Sequence, residues 1–219
     1  MNIAIIPARG GSKRIANKNR KVFFGKPIIF YPLNTLIKSK LFNKIFVTSD
    51  DEKIIKYVNK KFPKIITIKR EKKYSTDKVK TITVIKNFIK KNIKNMKIKK
   101  ICCVYPATPL INKKNLKTGL RVCNKYGRFV IPVIKSKSKN GNFIELKKNS
   151  IKKLNLKNNK STYLYKDSGQ FYWGTLNNWI KGKSIIDKSS KCFILKDYEA
   201  IDINFIEDWN KAKMLFKII

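Results

Sequence analysis

Short, continuous apolar runs alternate with amphipathic segments over roughly the first 135 residues of the chain. The first run, at residues 3–6, is too short for a helix and is bounded by Pro7, so it predicts a buried strand. Later runs have the same character. Strands are therefore predicted at residues 3–6, 44–48, 65–68, 101–105 and 129–134.

Between these runs, apolar residues recur every three or four positions, as they do in helices that pack one face against a sheet. Such helices are predicted at residues 28–41, 52–58, 81–93 and 116–126, the second of them capped by Ser49 or Asp50. The alternation predicts an α/β fold, a three-layer, doubly wound, mostly parallel sheet with helices on both faces. Ligands of such sheets bind beyond the carboxyl ends of the strands.

The pattern changes at residues 136–166, which are rich in Lys, Asn and Ser and contain short alternating pieces. Because apolar residues keep recurring there, this segment predicts a β-ribbon inserted into the main fold, with aliphatic residues that could form a dimer surface. The earlier pattern then returns, with strands expected at 167–174 and 192–195 and helices at 176–180 and 206–215. We expect one domain over residues 1–219.

The loop after the first strand, residues 8–19, contains two adjacent glycines, a serine and several cations. Gly10 and Gly11 can turn backbone N–H groups inward as an anion nest, while Arg9, Lys13 and Lys18 supply full positive charges. The loop lacks the glycine and lysine spacing of a Walker motif and the three glycines of a dinucleotide-binding motif. It predicts a phosphate site of another kind.

The formal net charge of +39 does not by itself indicate a nucleic-acid-binding protein. Lysine is spread over the whole chain together with abundant Ile, Asn, Phe and Tyr, which suggests a codon bias, whereas a nucleic-acid footprint concentrates arginine and aromatic residues on one face. Only six of the 52 basic residues are arginines, and three of these, Arg9, Arg14 and Arg20, lie in the first twenty residues. Arginine suits phosphate well because its donors form a planar fork.

The chain contains no histidine, which excludes serine–histidine hydrolysis, cysteine–histidine proteolysis and histidine metal sites. The four cysteines form no C-x-x-C pair and are expected to be reduced core residues. No apolar run is long enough to cross a bilayer, and the N-terminus lacks the pattern of a signal peptide. A cytoplasmic protein with no membrane partner is expected.

Asp202 stands out among the thirteen carboxylates because it lies between Ile201 and Ile203 at the end of an apolar segment. A carboxylate beside a triphosphate could hold Mg²⁺, which needs only one or two acidic ligands in addition to phosphate oxygens. The alternative is that Asp202 caps the last helix, and spacing does not separate the two interpretations.

Taken together, these segments resemble the acylneuraminate cytidylyltransferases, and the resemblance extends over essentially the whole chain. It rests on residues 4–14, Lys18-Asn19, 46–50, 105–110, and Asp202 with the closing helix. Within that family, residues 167–174 and 201–209 look most like the members that use pseudaminic acid.

The resemblance implies a fold like that of nucleotide-diphospho-sugar transferases and transfer of CMP from CTP to the anomeric hydroxyl of a nine-carbon sugar acid. Pyrophosphate is the other product, Mg²⁺ is the cofactor, and residues 136–166 form the dimerisation insert of a homodimer. Residues implied in binding the nucleotide are Ala8, Arg9, Gly10, Gly11, Ser12, Lys13, Lys18, Asn19 and Arg70. The implied catalytic residues are Arg9, Lys13, Lys18 and Asp202, the sugar-binding residues are Tyr105 and Gln170, and the metal ligands are Asp202 and Asn204.

One position departs from the family pattern. The family has Asp-Ile-Asp at the metal, whereas this chain has Asp202-Ile203-Asn204, and a neutral amide offers an oxygen without a charge. Weaker Mg²⁺ binding is therefore expected.

Several alternatives stay open at this point. The acceptor could be N-acetylneuraminic or legionaminic acid, or the protein could bind sugar nucleotides without catalysis. A KDO cytidylyltransferase fits less well, because its acidic motif is replaced here by residues 105–109. A basic nucleic-acid-binding protein would explain only the charge.

Overall fold

The computed structural model describes residues 1–136, 144–147, 150–153 and 164–218. The strands of the first half are β1 (Asn2–Pro7), β2 (Val22–Phe23), β3 (Lys26–Pro27), β4 (Lys44–Ser49), β5 (Ile66–Lys69) and β6 (Lys100–Val104). Those of the second half are β7 (Val130–Ser136), β8 (Ile144–Lys147), β9 (Ser150–Lys153), β10 (Leu164–Asp167), β11 (Phe171–Thr175) and β12 (Lys191–Ile194). The helices are α1 (Phe30–Ser39), α2 (Glu52–Lys61), α3 (Thr81–Asn92), α4 (Lys113–Tyr126), α5 (Leu176–Lys181) and α6 (Ile206–Ile218).

Within the described residues, ten strands form one sheet in the order β10-β8-β9-β12-β7-β11-β6-β1-β4-β5. Strand β1 lies between β4 and β6 and is parallel to both, and β5 continues the parallel part beyond β4. Strand β11 enters antiparallel between β6 and β7, while β12 is parallel to β7. The predicted mostly parallel sheet is confirmed, and the strands and helices predicted up to residue 135 all form.

Buried apolar residues cover both faces of this sheet, which gives the three layers that the sequence predicts. Successive residues of β1 alternate between the faces, so Ile3 and Ile5 belong to one core cluster and Ala4 and Ile6 to the other. The neighbouring cysteines divide in the same way, Cys102 into one core and Cys103 into the other. A third cluster, around Phe23 and Trp209, packs α6 against the hairpin formed by β2 and β3.

Residues that favour helix ends cap α2 and α4, but the cap of α2 differs from the predicted one. The side chain of Asp51 caps α2 by accepting a hydrogen bond from the backbone N–H of Lys53 at 2.8 Å, so the cap is not Ser49 or Asp50. This leaves Asp50 available for the loop after β1. Helix α4 ends as predicted at Gly127, whose φ of +62° suits glycine.

The predicted β-ribbon is present in part. Strands β8 and β9 pair antiparallel, and β10 pairs with both β8 and β7. Residues 137–143, 148–149 and 154–163 of the predicted insert lie outside the described residues. The dimerisation role of the segment therefore stays a prediction.

None of the helices that the structure describes is both long and apolar enough to cross a membrane.

Candidate active site

A cavity of about 460 Å³ opens where the parallel strands end. Its walls include residues just beyond the carboxyl ends of β1, β5 and β6, namely Arg9, Arg70 and Tyr105. This is the edge of the sheet at which the sequence predicts the ligand. The cationic side chains in its wall are Arg9, Arg14, Lys18 and Arg70, and the carboxylates are Asp77, Asp167 and Asp202.

Only part of the predicted phosphate loop lines this cavity. Arg9 and Ser12 line it, whereas Lys13 points outward with 84% of its side chain exposed. The guanidinium of Arg9 pairs with the carboxylate of Asp77, and the ammonium of Lys13 meets the same carboxylate at 3.1 Å. The two cations therefore converge on one anionic side chain of the segment that follows β5.

The glycines of the loop do not form an anion nest in this structure. Gly10 donates its backbone N–H to the carboxylate of Asp50 at 3.1 Å, so this donor does not face the cavity. Neither Gly10 nor Gly11 has the left-handed φ that a nest needs at one of its residues. Ala8, the first residue of the loop, is completely buried.

Asp50 also joins the loop to Arg70. Its carboxylate oxygen Oδ1 lies 3.5 Å from Nη2 of Arg70, while Nε of Arg70 donates to the hydroxyl of Ser75 at 3.0 Å. Arg70 is buried, and burial lowers the pKa of its guanidinium, an effect that Asp50 opposes. Arg70 is thus fixed in the cavity wall with donors to spare for a ligand.

Asn19 is buried at the base of the same loop and lines the cavity. Its Nδ2 donates to the carbonyl oxygen of Arg9 at 2.8 Å. Among the described residues its Oδ1 has no hydrogen-bond partner. A buried acceptor without a partner at a cavity wall is suited to a donor group on a ligand.

Lys18 connects the loop to the segment that holds Asp202. Its Nζ donates to the carbonyl oxygen of Ile203 at 2.5 Å. Burial lowers the pKa of Lys18, and the nearby Asp202 partly offsets this. Arg14 makes a second link, because its guanidinium lies 5.2 Å from the ring centre of Phe205.

Asp202 does not cap α6, so the capping interpretation is wrong. The capping carboxylate is Asp208, whose Oδ2 accepts from the backbone N–H groups of Asn204 and Phe205, both at 2.9 Å. The side chain of Asp202 lines the cavity instead, and Nδ2 of Asn204 donates to its Oδ2 at 2.7 Å. The two predicted metal ligands therefore stand side by side at the cavity.

Four polar side chains form the wall on the other side of Asp202. Tyr105 shares a hydrogen bond of 2.9 Å with Thr81, and its ring meets that of Tyr172 edge to face at 5.5 Å. Tyr172 donates its hydroxyl to Oδ2 of Asp167. Burial raises the pKa of Asp167 to about 6, against the opposing hydrogen bonds from Tyr172 and the backbone of Gly169.

Gln170 is buried and does not line the cavity. Its Nε2 donates to the carbonyl oxygen of Glu199 at 2.7 Å, and its Oε1 has no partner among the described residues. The residues that the 167–174 segment contributes to the cavity wall are Asp167, Gly169 and Tyr172.

Sequence reasoning assigned no role in the site to Asp77, Asp167, Tyr172 or Thr81, and it noted Arg14 only as one of three early arginines suited to phosphate. A signal existed for Asp167, because aspartate is rare in this chain and this one stands at the start of an aromatic strand. No comparable signal marked Asp77 or Thr81, which the fold brings to the cavity from the segment after β5.

The fold is shared with solved nucleotidyltransferases. The structure matches a CMP:2-keto-3-deoxy-manno-octonic acid synthetase complexed with CTP with a TM-score of 0.77, at 13% identity and over 99% of this chain and 98% of that one. It matches an inositol-1-phosphate CTP transferase from T. maritima with a TM-score of 0.70, at 15% identity and over 98% and 94%. The chain therefore has the same α/β fold as these two structures.

Sequence comparison identifies the family. Residues 3–212 match the family model described as Cytidylyltransferase. A pseudaminic acid cytidylyltransferase of Campylobacter jejuni is 33% identical over 99% of this chain and 97% of its own length. A CMP-N,N'-diacetyllegionaminic acid synthase of Legionella pneumophila is 25% identical over 99% and 96%. The chain belongs to the cytidylyltransferase family.

Proposed function

We propose that the protein transfers CMP from CTP to the anomeric hydroxyl of pseudaminic acid and releases pyrophosphate. The observation that carries this proposal is one cavity, at the carboxyl edge of a parallel sheet, whose wall contains Arg9, Arg14 and Lys18 together with Asp202. Membership of the cytidylyltransferase family supports CTP as the donor.

The side chains that this chain contains are sufficient for this reaction. In phosphoryl-type transfer most of the catalytic effect comes from positioning and from neutralising charge, and little covalent participation by the protein is required. The anomeric oxygen attacks the α-phosphorus and gives up its proton to solvent, the bond to the pyrophosphate oxygen breaks, and negative charge builds up on the leaving group. Arg9, Arg14 and Lys18 would stabilise that charge. A site without histidine is therefore sufficient.

The nucleotide would also be held at the base of the loop. The buried guanidinium of Arg70 has donors to spare, and Oδ1 of Asn19 is an acceptor without a partner in the described residues. A nucleotide offers both acceptors and donors, so these two side chains can be satisfied together when it binds. Mutation of either residue is expected to weaken CTP binding more than it slows the bound complex.

The residues at the metal segment fit Mg²⁺. Asp202 provides a carboxylate at the cavity, and Asn204 beside it provides an amide oxygen, both of them hard oxygen donors. No cluster of three or more acidic or cysteine side chains suitable for a metal occurs among the described residues, so the remaining ligands would be water and phosphate oxygens. When bound, Mg²⁺ would neutralise charge on the triphosphate. Lys18 keeps the segment in place through the carbonyl of Ile203.

Pseudaminic acid is the proposed acceptor because the match to the Campylobacter jejuni protein, at 33%, exceeds the 25% match to the legionaminic acid synthase over the same share of the chain. A homodimer formed through residues 136–166 and a cytoplasmic location complete the proposal. The homodimer is an expectation drawn from the family resemblance, whereas the cytoplasmic location is an expectation drawn from the sequence pattern.

The test measures pyrophosphate release by the purified protein with CTP and Mg²⁺, using pseudaminic, N,N'-diacetyllegionaminic and N-acetylneuraminic acids as acceptors. Release with pseudaminic acid well above the other two is the expected result. Faster pyrophosphate release with another acceptor would identify that sugar as the substrate. No release with any of the three would leave only a binding role.

Two variants distinguish the effect of an arginine in the site from the effect of the positive charge on the rest of the surface. Arg9→Ala is expected to abolish turnover without unfolding the protein, as judged by circular dichroism. Arg121→Ala, which removes an exposed arginine of α4, is the matched control and should keep the wild-type rate. Near-normal turnover by Arg9→Ala would mean that the triphosphate lies elsewhere.

A further inference from the structure

The cavity wall contains a further carboxylate with no assigned role. Asp167 ends β10 and lines the cavity, whereas Gln170, three residues later, is turned into the core. Asp167 therefore adds an acidic group to a cavity whose wall also carries the cations Arg9, Arg14, Lys18 and Arg70.

Both oxygens of Asp167 are held in place. Oδ1 accepts the backbone N–H of Gly169 at 3.0 Å, and Oδ2 accepts the hydroxyl of Tyr172. Tyr172 is itself buried against Tyr105, so the orienting donor cannot easily move. Because a carboxylate has about four acceptor positions, two bonds leave acceptor capacity for a ligand.

Among the described residues, no cation neutralises Asp167. Within the residues that the structure describes, no lysine or arginine forms an ion pair with it. Asp202 is close enough to interact with it electrostatically, and the turn at Gly169 lies against both side chains. The negative charge of Asp167 therefore repels a carboxylate and attracts hydrogen-bond donors.

We infer that Asp167 is a further acceptor-binding residue, which takes hydrogen bonds from O–H or N–H groups of the sugar acid and keeps the carboxylate of that sugar away from this wall. The inference rests on the proposed function, because it concerns the second substrate of that reaction. Asp167 would thereby select the orientation in which the sugar binds. When the neutral donors of the sugar face Asp167, its carboxylate is directed toward the cationic side chains of the cavity wall.

The experiment compares Asp167→Asn with the wild type in the full-length protein. Asparagine keeps the shape and an acceptor for Gly169 but loses the charge. We expect KM for pseudaminic acid to rise by about tenfold to a hundredfold, as is typical for loss of a charge-assisted hydrogen bond. The dissociation constant for CTP, measured by calorimetry without sugar, should stay unchanged. Asp197→Asn, at an exposed carboxylate outside the cavity, is the matched control and should change neither constant.

A second variant guards against a folding defect. Tyr172→Phe removes the donor to Oδ2, so it should raise KM for the sugar in the same direction and leave CTP binding unchanged. If Asp167→Asn does not fold, this variant decides the question, and unchanged kinetics would overturn the inference.

Two other outcomes also contradict it. A loss of CTP affinity equal to the loss of sugar affinity would place Asp167 in the nucleotide site, and a fall in kcat with unchanged KM for the sugar would assign it to the chemical step. If the wild-type protein releases no pyrophosphate with any sugar, the proposed function itself has failed, and the variants are not needed to show it.

Discussion

The guanidinium of Arg9 is ion-paired with the carboxylate of Asp77, a residue 68 positions later on the segment that follows β5. Lys13 approaches the same carboxylate, and the hydrogen bonds from Arg9 and then Lys13 lower the pKa of Asp77. The aspartate is therefore ionised at neutral pH and meets the cations that the proposed function assigns to the triphosphate. A side-chain anion is present where a substrate anion is expected to bind.

The first prediction concerns this ion pair. Because CTP must displace Asp77 from Arg9, Asp77→Asn should lower the dissociation constant for CTP several-fold. It should also make CTP binding more sensitive to added salt, because the site becomes more positive and salt no longer screens a competing carboxylate. Calorimetric titration at two salt concentrations measures both effects, with Asp197→Asn as the control. Weaker CTP binding by the variant would show that Asp77 holds the substrate and does not compete with it.

The second prediction concerns the bond from Lys18 to the carbonyl of Ile203. Lys18→Met should reduce turnover about tenfold or more, since it removes a charged hydrogen bond and a cation near Asp202. It should also raise the Mg²⁺ concentration needed for half-maximal activity, because the metal segment loses a support. Lys38→Met, at an exposed position of α1, is the control. An unchanged Mg²⁺ dependence with reduced turnover would limit Lys18 to binding phosphate.

The third prediction concerns Gly169. Its φ is +64°, and a Cβ at this position would lie 2.8 Å from Cγ of Asp202. Gly169→Ala should therefore destabilise the protein by about 1 kcal/mol or more and displace Asp202, with loss of turnover. Thermal unfolding and the pyrophosphate assay measure the two effects. Gly11→Ala, where an added Cβ would meet no atom within 4 Å, should unfold at the wild-type temperature.

The fourth prediction concerns the amide at the metal segment. Asn204→Asp restores a second carboxylate beside Asp202 and should keep or improve activity at low Mg²⁺, with a lower Mg²⁺ requirement. In the wild type, Nδ2 of Asn204 donates to Oδ2 of Asp202 at 2.7 Å. A clear loss of activity at all Mg²⁺ concentrations would instead mean that Asn204 serves to position Asp202 and is no metal neighbour.

The fifth prediction concerns the thiols. All four cysteines are free and buried, and burial raises the pKa of Cys123 and of Cys192 to about 11. The thiolate is the reactive form, so at pH 8 the native protein should react slowly with a thiol reagent, while the urea-unfolded chain should release four equivalents quickly. Rapid reaction of one native thiol would show that a core cluster opens locally.

Local sequence determined most of the architecture. The apolar run of β1 can be buried only between other strands, and the period of the following segments fits helices on both faces, so the parallel sheet and its carboxyl edge follow from pattern alone. The cationic loop follows β1 directly, so the sequence also predicted its position at this edge of the sheet. Arg9, Lys18, Arg70 and Asp202, which are far apart in sequence, converge on one cavity as expected.

Tertiary structure decided which side chains of a segment face that cavity. The 167–174 segment was expected to present Gln170, but the turn at Gly169 directs Gln170 into the core and leaves Asp167 at the wall. The backbone N–H of Gly10 was expected to face a phosphate of the ligand and instead donates to the carboxylate of Asp50. Such outcomes depend on the direction of the backbone in a turn, which local pattern does not specify.

The sequence by itself thus determined the strands, the helices and the chemical character of the phosphate loop, because these depend on burial and on residue type over short distances. Only the folded chain decided that Asp77 meets Arg9 and that Tyr172 orients Asp167. These contacts join residues that are apart in the sequence. Which residues meet depends on how the elements pack against one another, and that packing depends on the whole chain.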